Sequence, residues 1–174
     1  MTNFDTLRLL LLEQCNRDCE LCCNKNQDLP DLEIADKSDY INAKVICLTG
    51  GEPMLRPGLI RKAVAEIREC SDAKIILYTA KTDNFIELQS ILEIVDGMTI
   101  TLHEQSDVND LKNFMSYCNR YNIAFKSLRI NIFKNIEFEL PETRCSIWTI
   151  KDNIEWIPDC PLLDNEVFKR YGVK

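Results

Sequence analysis

The sequence predicts an α/β fold, a partial (open) TIM-like (β/α) barrel of five to six βα units. Five short apolar runs recur along the chain, amphipathic helical stretches separate most of them, and the whole has 174 residues. A closed eight-unit barrel typically takes about 250 residues, so a chain of this length leaves the ring open.

The runs cover 7–13, 44–48, 74–79, 98–102 and 128–133. Each is short, apolar and bounded by polar or turn residues, as strands of a parallel sheet buried on both faces are. The first helical stretch, 57–70, carries Leu59, Ile60, Ala63, Val64 and Ile67 on one face, with Pro57 near its start. The second, 84–95, repeats the pattern with Phe85, Ile86, Leu88, Ile91, Leu92 and Val95. The third, 106–121, does so with Leu111, Phe114, Met115, Cys118 and Tyr121, and Ser106 or Asp107 is placed to cap it. Strand–helix alternation of this kind implies right-handed crossovers. The segment 24–43 is the least periodic and reads as a surface loop with a short helix.

The tail differs. Residues 145–160 alternate apolar and polar on either side of Lys151-Asp152-Asn153, which predicts a C-terminal β-hairpin with an Asp-Asn turn. Each of its strands would bear a Trp, and Cys145 and Cys160 would mark the outer ends. The chain thus divides into a core, 1–140, and a hairpin and tail, 141–174, packed on the bottom or edge of that core.

Hydrophobic residues make up 45% and charged residues 28%, the balance of a soluble globular protein. The net charge is −7 and no dense Lys/Arg block occurs, so there is no clear nucleic-acid signal. No run approaches a membrane span; Leu9 to Leu12 is flanked by Arg8 and Glu13. The N-terminus lacks the basic start and cleavage site of a signal peptide. The expected location is cytoplasmic, with no membrane association. In a reducing compartment clustered cysteines point to metal, while scattered ones such as Cys47 and Cys70 behave as small core residues.

Cys15, Cys19 and Cys22 stand in a CxxxCxxC array after the first run, and Thr49-Gly50-Gly51-Glu52-Pro53 follows the second. Three thiolates can hold three irons of a [4Fe–4S] cube and leave the fourth open. A helical stripe, a zinc site with Cys23 or His103 as fourth ligand, and a redox disulfide compete with that reading. At Gly50 and Gly51 main-chain groups can approach a ligand, because no Cβ intrudes. Glu52 can accept from an amino group, a charge-assisted contact, and Pro53 rigidifies the turn. A plain strand-to-helix turn with a solvated Glu is the competing reading.

Cys15-Asn16-Arg17-Asp18-Cys19-Glu20-Leu21-Cys22 resembles the cluster loop of the radical S-adenosylmethionine (radical SAM) superfamily. The stretch from Leu48 to Pro57 resembles that family's GGE-type motif in wording and placement. The resemblance spans residues 7–57 and continues to 133 as a strand–helix rhythm. It implies that Cys15, Cys19 and Cys22 ligate a [4Fe–4S] cluster and that Gly50, Gly51 and Glu52 contact the SAM amino group. Leu21 stands where many members carry an aromatic residue near the adenine, so a backbone contact could persist there without stacking. Thr79, Arg129 and Asn131 occupy strand positions where members present polar groups to the SAM ribose and carboxylate; solvated strand ends are the alternative. His103 closes the fourth run, at the end of a strand where barrel active sites lie. A substrate contact, a proton-transfer role and a capped surface histidine are all open to it. Cys145 and Cys160 resemble part of an auxiliary-cluster region, but two ligands are too few for a four-cysteine site.

The implied activity is reductive cleavage of SAM to a 5′-deoxyadenosyl radical that takes hydrogen from a substrate. A short chain leaves the mouth wide, which suits a peptide or protein; a small molecule is the other class. The implied electron donor is a reductase, flavodoxin or ferredoxin. The alternatives are a glycyl-radical-enzyme activase, suggested by Cys22-Cys23-Asn24, a deazaguanine-type modification of a nucleotide-like molecule, and a non-enzymatic zinc or iron–sulfur module.

Overall fold

A computed structural model describes residues 4–20, 22–25, 27, 29–121, 126–139, 147–157 and 161–172. Its seven strands are β1 (Thr6–Leu12), β2 (Val45–Gly50), β3 (Lys74–Thr79), β4 (Gly97–Leu102), β5 (Ser127–Phe133), β6 (Trp148–Ile154) and β7 (Glu166–Arg170). Its four α-helices are α1 (Lys37–Asn42), α2 (Pro57–Arg68), α3 (Phe85–Ile94) and α4 (Asp107–Arg120). The strands form one all-parallel open sheet in the order β6-β5-β4-β3-β2-β1-β7. The five runs and three long helices of the sequence reading all appear, with ends moved by one or two residues. The segment 24–43 holds α1, started by a capping box in which Asp36 accepts from Ser38 and Asp39 N–H groups.

From β1 to β6 the chain always steps to the same side. Right-handed crossovers that never reverse direction put every connecting helix on one face of the sheet. The packing agrees: Leu7, Leu9 and Leu11 of β1, Ile46 and Leu48 of β2 and their counterparts through Trp148 of β6 share one buried cluster. That cluster also holds Ile60 and Ile67 of α2, Leu88 and Ile91 of α3, and Leu111 and Phe114 of α4. Fully burying a Leu, Ile or Phe side chain stabilises by about 1.5–3 kcal/mol, so this one face carries the core.

The opposite face departs from expectation. Strands buried and apolar on both faces were predicted, yet the alternate positions carry Arg8, Cys47, Tyr78, Thr99, Arg129 and Asn131, placed side by side by the register. No helix layer among the described residues covers them, and most are half-buried. Polar residues survive there because they meet one another and solvent rather than a hydrophobic layer.

The hairpin is also corrected. Trp148–Ile154 is a single strand, parallel to β5, and Lys151 pairs with Asn131 inside it. Asn153 does take the positive φ of a turn residue, 51°. That conformation serves a register shift before Ile154, not a reversal, as Asn can in a bulge. The predicted end cysteines, Cys145 and Cys160, lie outside the described residues. β7 was not foreseen. It is short and half-buried throughout, and it pairs in parallel with β1 on the far edge. Residues beyond 141 thus add strands to both edges of the core sheet. No helix among the described residues is long and apolar enough to cross a membrane.

Candidate functional site

The site gathers at the C-terminal edge of the sheet, around the loop that leaves β1. Both ends of that loop are fastened to the glycine turn after β2. Gly51 N–H donates to Leu12 O (2.7 Å) and Glu52 N–H to Gln14 O (2.9 Å). At the other end Asn24 Nδ2 donates to Gly50 O (2.8 Å). The glycines are required by this approach. Gly50 has φ 137°, and a Cβ on Gly51 would lie 2.1 Å from Gln14 O. The space left by the missing side chains is therefore filled by the β1 exit, where the sequence reading had put a ligand.

Glu52 is likewise not a solvated carboxylate. It is 2% exposed. Oε1 accepts from Met54 N–H (2.9 Å) and from the Thr79 hydroxyl (2.6 Å), and Oε2 from Ala80 N–H (2.8 Å). A carboxylate has about four lone-pair sites, so one is left for another donor. Thr79, predicted as a ligand contact, is buried and committed to this tie between the ends of β2 and β3.

Within the loop, Cys22 N–H closes a turn onto Cys19 O (3.2 Å), and Lys25 N–H onto Cys22 O (3.0 Å). The Cys15, Cys19 and Cys22 thiols are free; Cys15 is exposed and the others half-buried. Cys23 is disulfide-bonded and so is not a fourth thiolate. Burial raises the Cys19 thiol above its ordinary value, and the nearby Cys22 and Cys15 raise it further, against a smaller lowering by Arg17. As they stand, no three His, Cys, Asp or Glu side chains among the described residues are gathered to hold a metal ion. The donors suit an iron–sulfur cluster in kind, soft thiolates on one loop, and binding would have to draw them together.

The same loop docks on the β4 exit through Arg17, Glu104 and Asp107, to which the sequence reading gave no role in the site. Arg17 reaches Asp107 Oδ1 (2.5 Å), Ala80 O (3.2 Å) and Glu104 Oε1 (3.3 Å). Its side chain is 12% exposed. Burial opposes its charge, but the Asp107 and Glu104 carboxylates outweigh this and hold it protonated. Asp107 Oδ2 in turn accepts from the His103 and Glu104 N–H groups (3.2 and 3.1 Å). Ser106, the other candidate cap, makes no capping bond.

His103 lies in the site, not on a free surface. Its Nδ1 is 3.4 Å from Cys19 Sγ. The ring meets Phe133 and Trp156 edge-on, each at 5.2 Å, and those two stack at 4.3 Å. Burial, then the Arg17 charge, push its pKa down to about 4, so the imidazole is neutral at physiological pH. Phe133 closes β5 and Trp156 follows β6, so three strand ends supply this aromatic wall.

Arg129 and Asn131 lie on the polar face of β5, in register with Thr99 and Thr101 of β4. Arg129 forms no ion pair among the described residues, and Asn131 Oδ1 is buried without a hydrogen-bond partner. Neither is a solvated strand end. Leu21 lies outside the described residues.

In comparisons with known proteins, no family model and no curated sequence matches the chain.

Proposed function

We propose that the protein is a compact radical SAM enzyme, with one [4Fe–4S] cluster on Cys15, Cys19 and Cys22. The observation that carries this is the double anchoring of the cysteine loop on Gly50-Gly51-Glu52, which makes the two motifs one structural unit. SAM would lie beside that unit, with the remaining acceptor site of Glu52 on one side and Arg129 and the unpartnered Oδ1 of Asn131 on the other. Held by Cys15, Cys19 and Cys22, a cluster would supply one-electron reduction of the SAM sulfonium, the electron coming from an external donor and methionine leaving as the C–S bond breaks.

The chain's own residues hold this region. Glu52 fixes the turn, Arg17 and Asp107 clamp the loop, and His103, backed by Phe133 and Trp156, lies against Cys19. We assign the polar sheet face, where the register sets Arg129 beside Thr99 and Asn131 beside Thr101, to the inside of a partial barrel. An open mouth suits a peptide or protein substrate, with a flavodoxin- or ferredoxin-type electron donor.

The test is anaerobic. Reconstituted protein should carry about four irons per chain, absorb in the visible, and release 5′-deoxyadenosine when reduced with SAM. Cys15→Ala or Cys22→Ala should abolish release. A colourless protein holding one zinc and no SAM refutes the proposal.

A further inference from the structure

The Cys19–His103 contact joins a proposed metal ligand to a ring held from several sides. His103 N–H is tied to Asp107, and its ring edges rest on Phe133 and Trp156. A thiolate bound to metal carries no proton and is only an acceptor, so the hydrogen in this contact has to sit on His103 Nδ1. Hydrogen bonds to cluster sulfurs are among the factors that set a cluster's reduction potential. A donor to sulfur stabilises the more negative, reduced state and makes the electron easier to accept.

Resting on the radical SAM reading, we propose that His103 is a positioning residue whose Nδ1–H donates to the Cys19 thiolate and raises the reduction potential of the cluster. The pairing is specific to this architecture: Arg17 and Asp107 bring the cysteine loop to the β4 exit, and the wall of Phe133 and Trp156 leaves the ring little freedom to turn away.

The experiment is a potentiometric titration of reconstituted, SAM-free protein followed by electron paramagnetic resonance, with iron content measured on each sample. His103→Leu removes the donor. His103→Asn places an amide nitrogen near the former Nδ1, and His103→Gln places one near Nε2, away from the sulfur. Wild type and His103→Asn should titrate together. His103→Leu and His103→Gln should hold the same iron but show up to tenfold less reduced cluster at a given potential, a shift of about 59 mV for one electron. Equal potentials in all four proteins overturn the inference and leave the radical SAM reading intact. If His103→Leu fails to fold or load, the Asn and Gln variants decide: a difference between them supports the donor, and equality overturns it. Wild-type protein that takes up no iron overturns both.

Discussion

Replacing Glu52 separates a structural carboxylate from one that serves a ligand alone. In Glu52→Ala the Met54 and Ala80 N–H groups lose their acceptor, while the Thr79 hydroxyl can rotate. A buried donor left unsatisfied costs about 1–3 kcal/mol, and the half-buried Ala80 N–H less, so the two together cost about 3 kcal/mol. That is a large part of the 5–15 kcal/mol by which a domain is ordinarily stable. With an m-value of about 2 kcal/mol per M, the urea midpoint of the metal-free protein should fall by about 1.5 M. Glu52→Gln keeps one carbonyl oxygen and should lose roughly half as much. The assay is equilibrium unfolding by circular dichroism without iron or SAM. A Glu52→Ala midpoint within 0.5 M of wild type would show that the three hydrogen bonds do not hold the β2 and β3 exits together.

Gly51→Ala should displace the β1 exit at a cost of about 2 kcal/mol, read as roughly thirtyfold faster amide exchange at Glu52; unchanged exchange refutes the close approach. Iodoacetamide at pH 8 should label exposed Cys15 first and leave Cys47 and Cys118 untouched until unfolding, since burial pushes those thiols up to about 11 and about 12. Peptide mapping that finds Cys118 labelled as fast as Cys15 contradicts this. Burial raises the Asp96 carboxyl, but hydrogen bonds from Ile75 N–H and Arg68 outweigh it and hold the group below its ordinary 3.8. Its stabilising effect is full above that ordinary value and is lost as pH falls through the depressed folded value. Asp96→Asn should therefore flatten the fall in urea midpoint below about pH 4; an unchanged slope refutes the role.

The sheet was legible because β-branched and leucine-rich runs between amphipathic helices have few other packings. The polar face was legible too, in Ser127-Leu128-Arg129-Ile130-Asn131-Ile132-Phe133, where strict alternation marks a strand with one face out of the core. Density of apolar residues in the other runs hid it. Trp148–Ile154 misled because Asp-Asn is a turn signal locally, whereas pairing to β5 is a non-local choice. Glu166–Arg170 carries no apolar alternation, and its partner lies at the opposite end of the chain. Within the site the cysteines and glycines stand out by spacing. Arg17, Asp107 and Trp156 do not, because each matters only through a neighbour that folding supplies: 90 residues away for Arg17 and Asp107, 53 for His103 and Trp156.

The pairing of β7 with β1 also sets an order of assembly. Thr6 meets Glu166 across roughly 160 residues of chain. During synthesis β1 waits, with one edge bare, until residues 166–170 have been made, and contacts this distant in sequence form slowly. Until then Arg8 lacks Glu166, and the strand that leads into the cysteine loop is held from one side only. A growing chain that has not yet reached Glu166–Arg170 thus presents a cysteine loop whose supporting strand is only half secured.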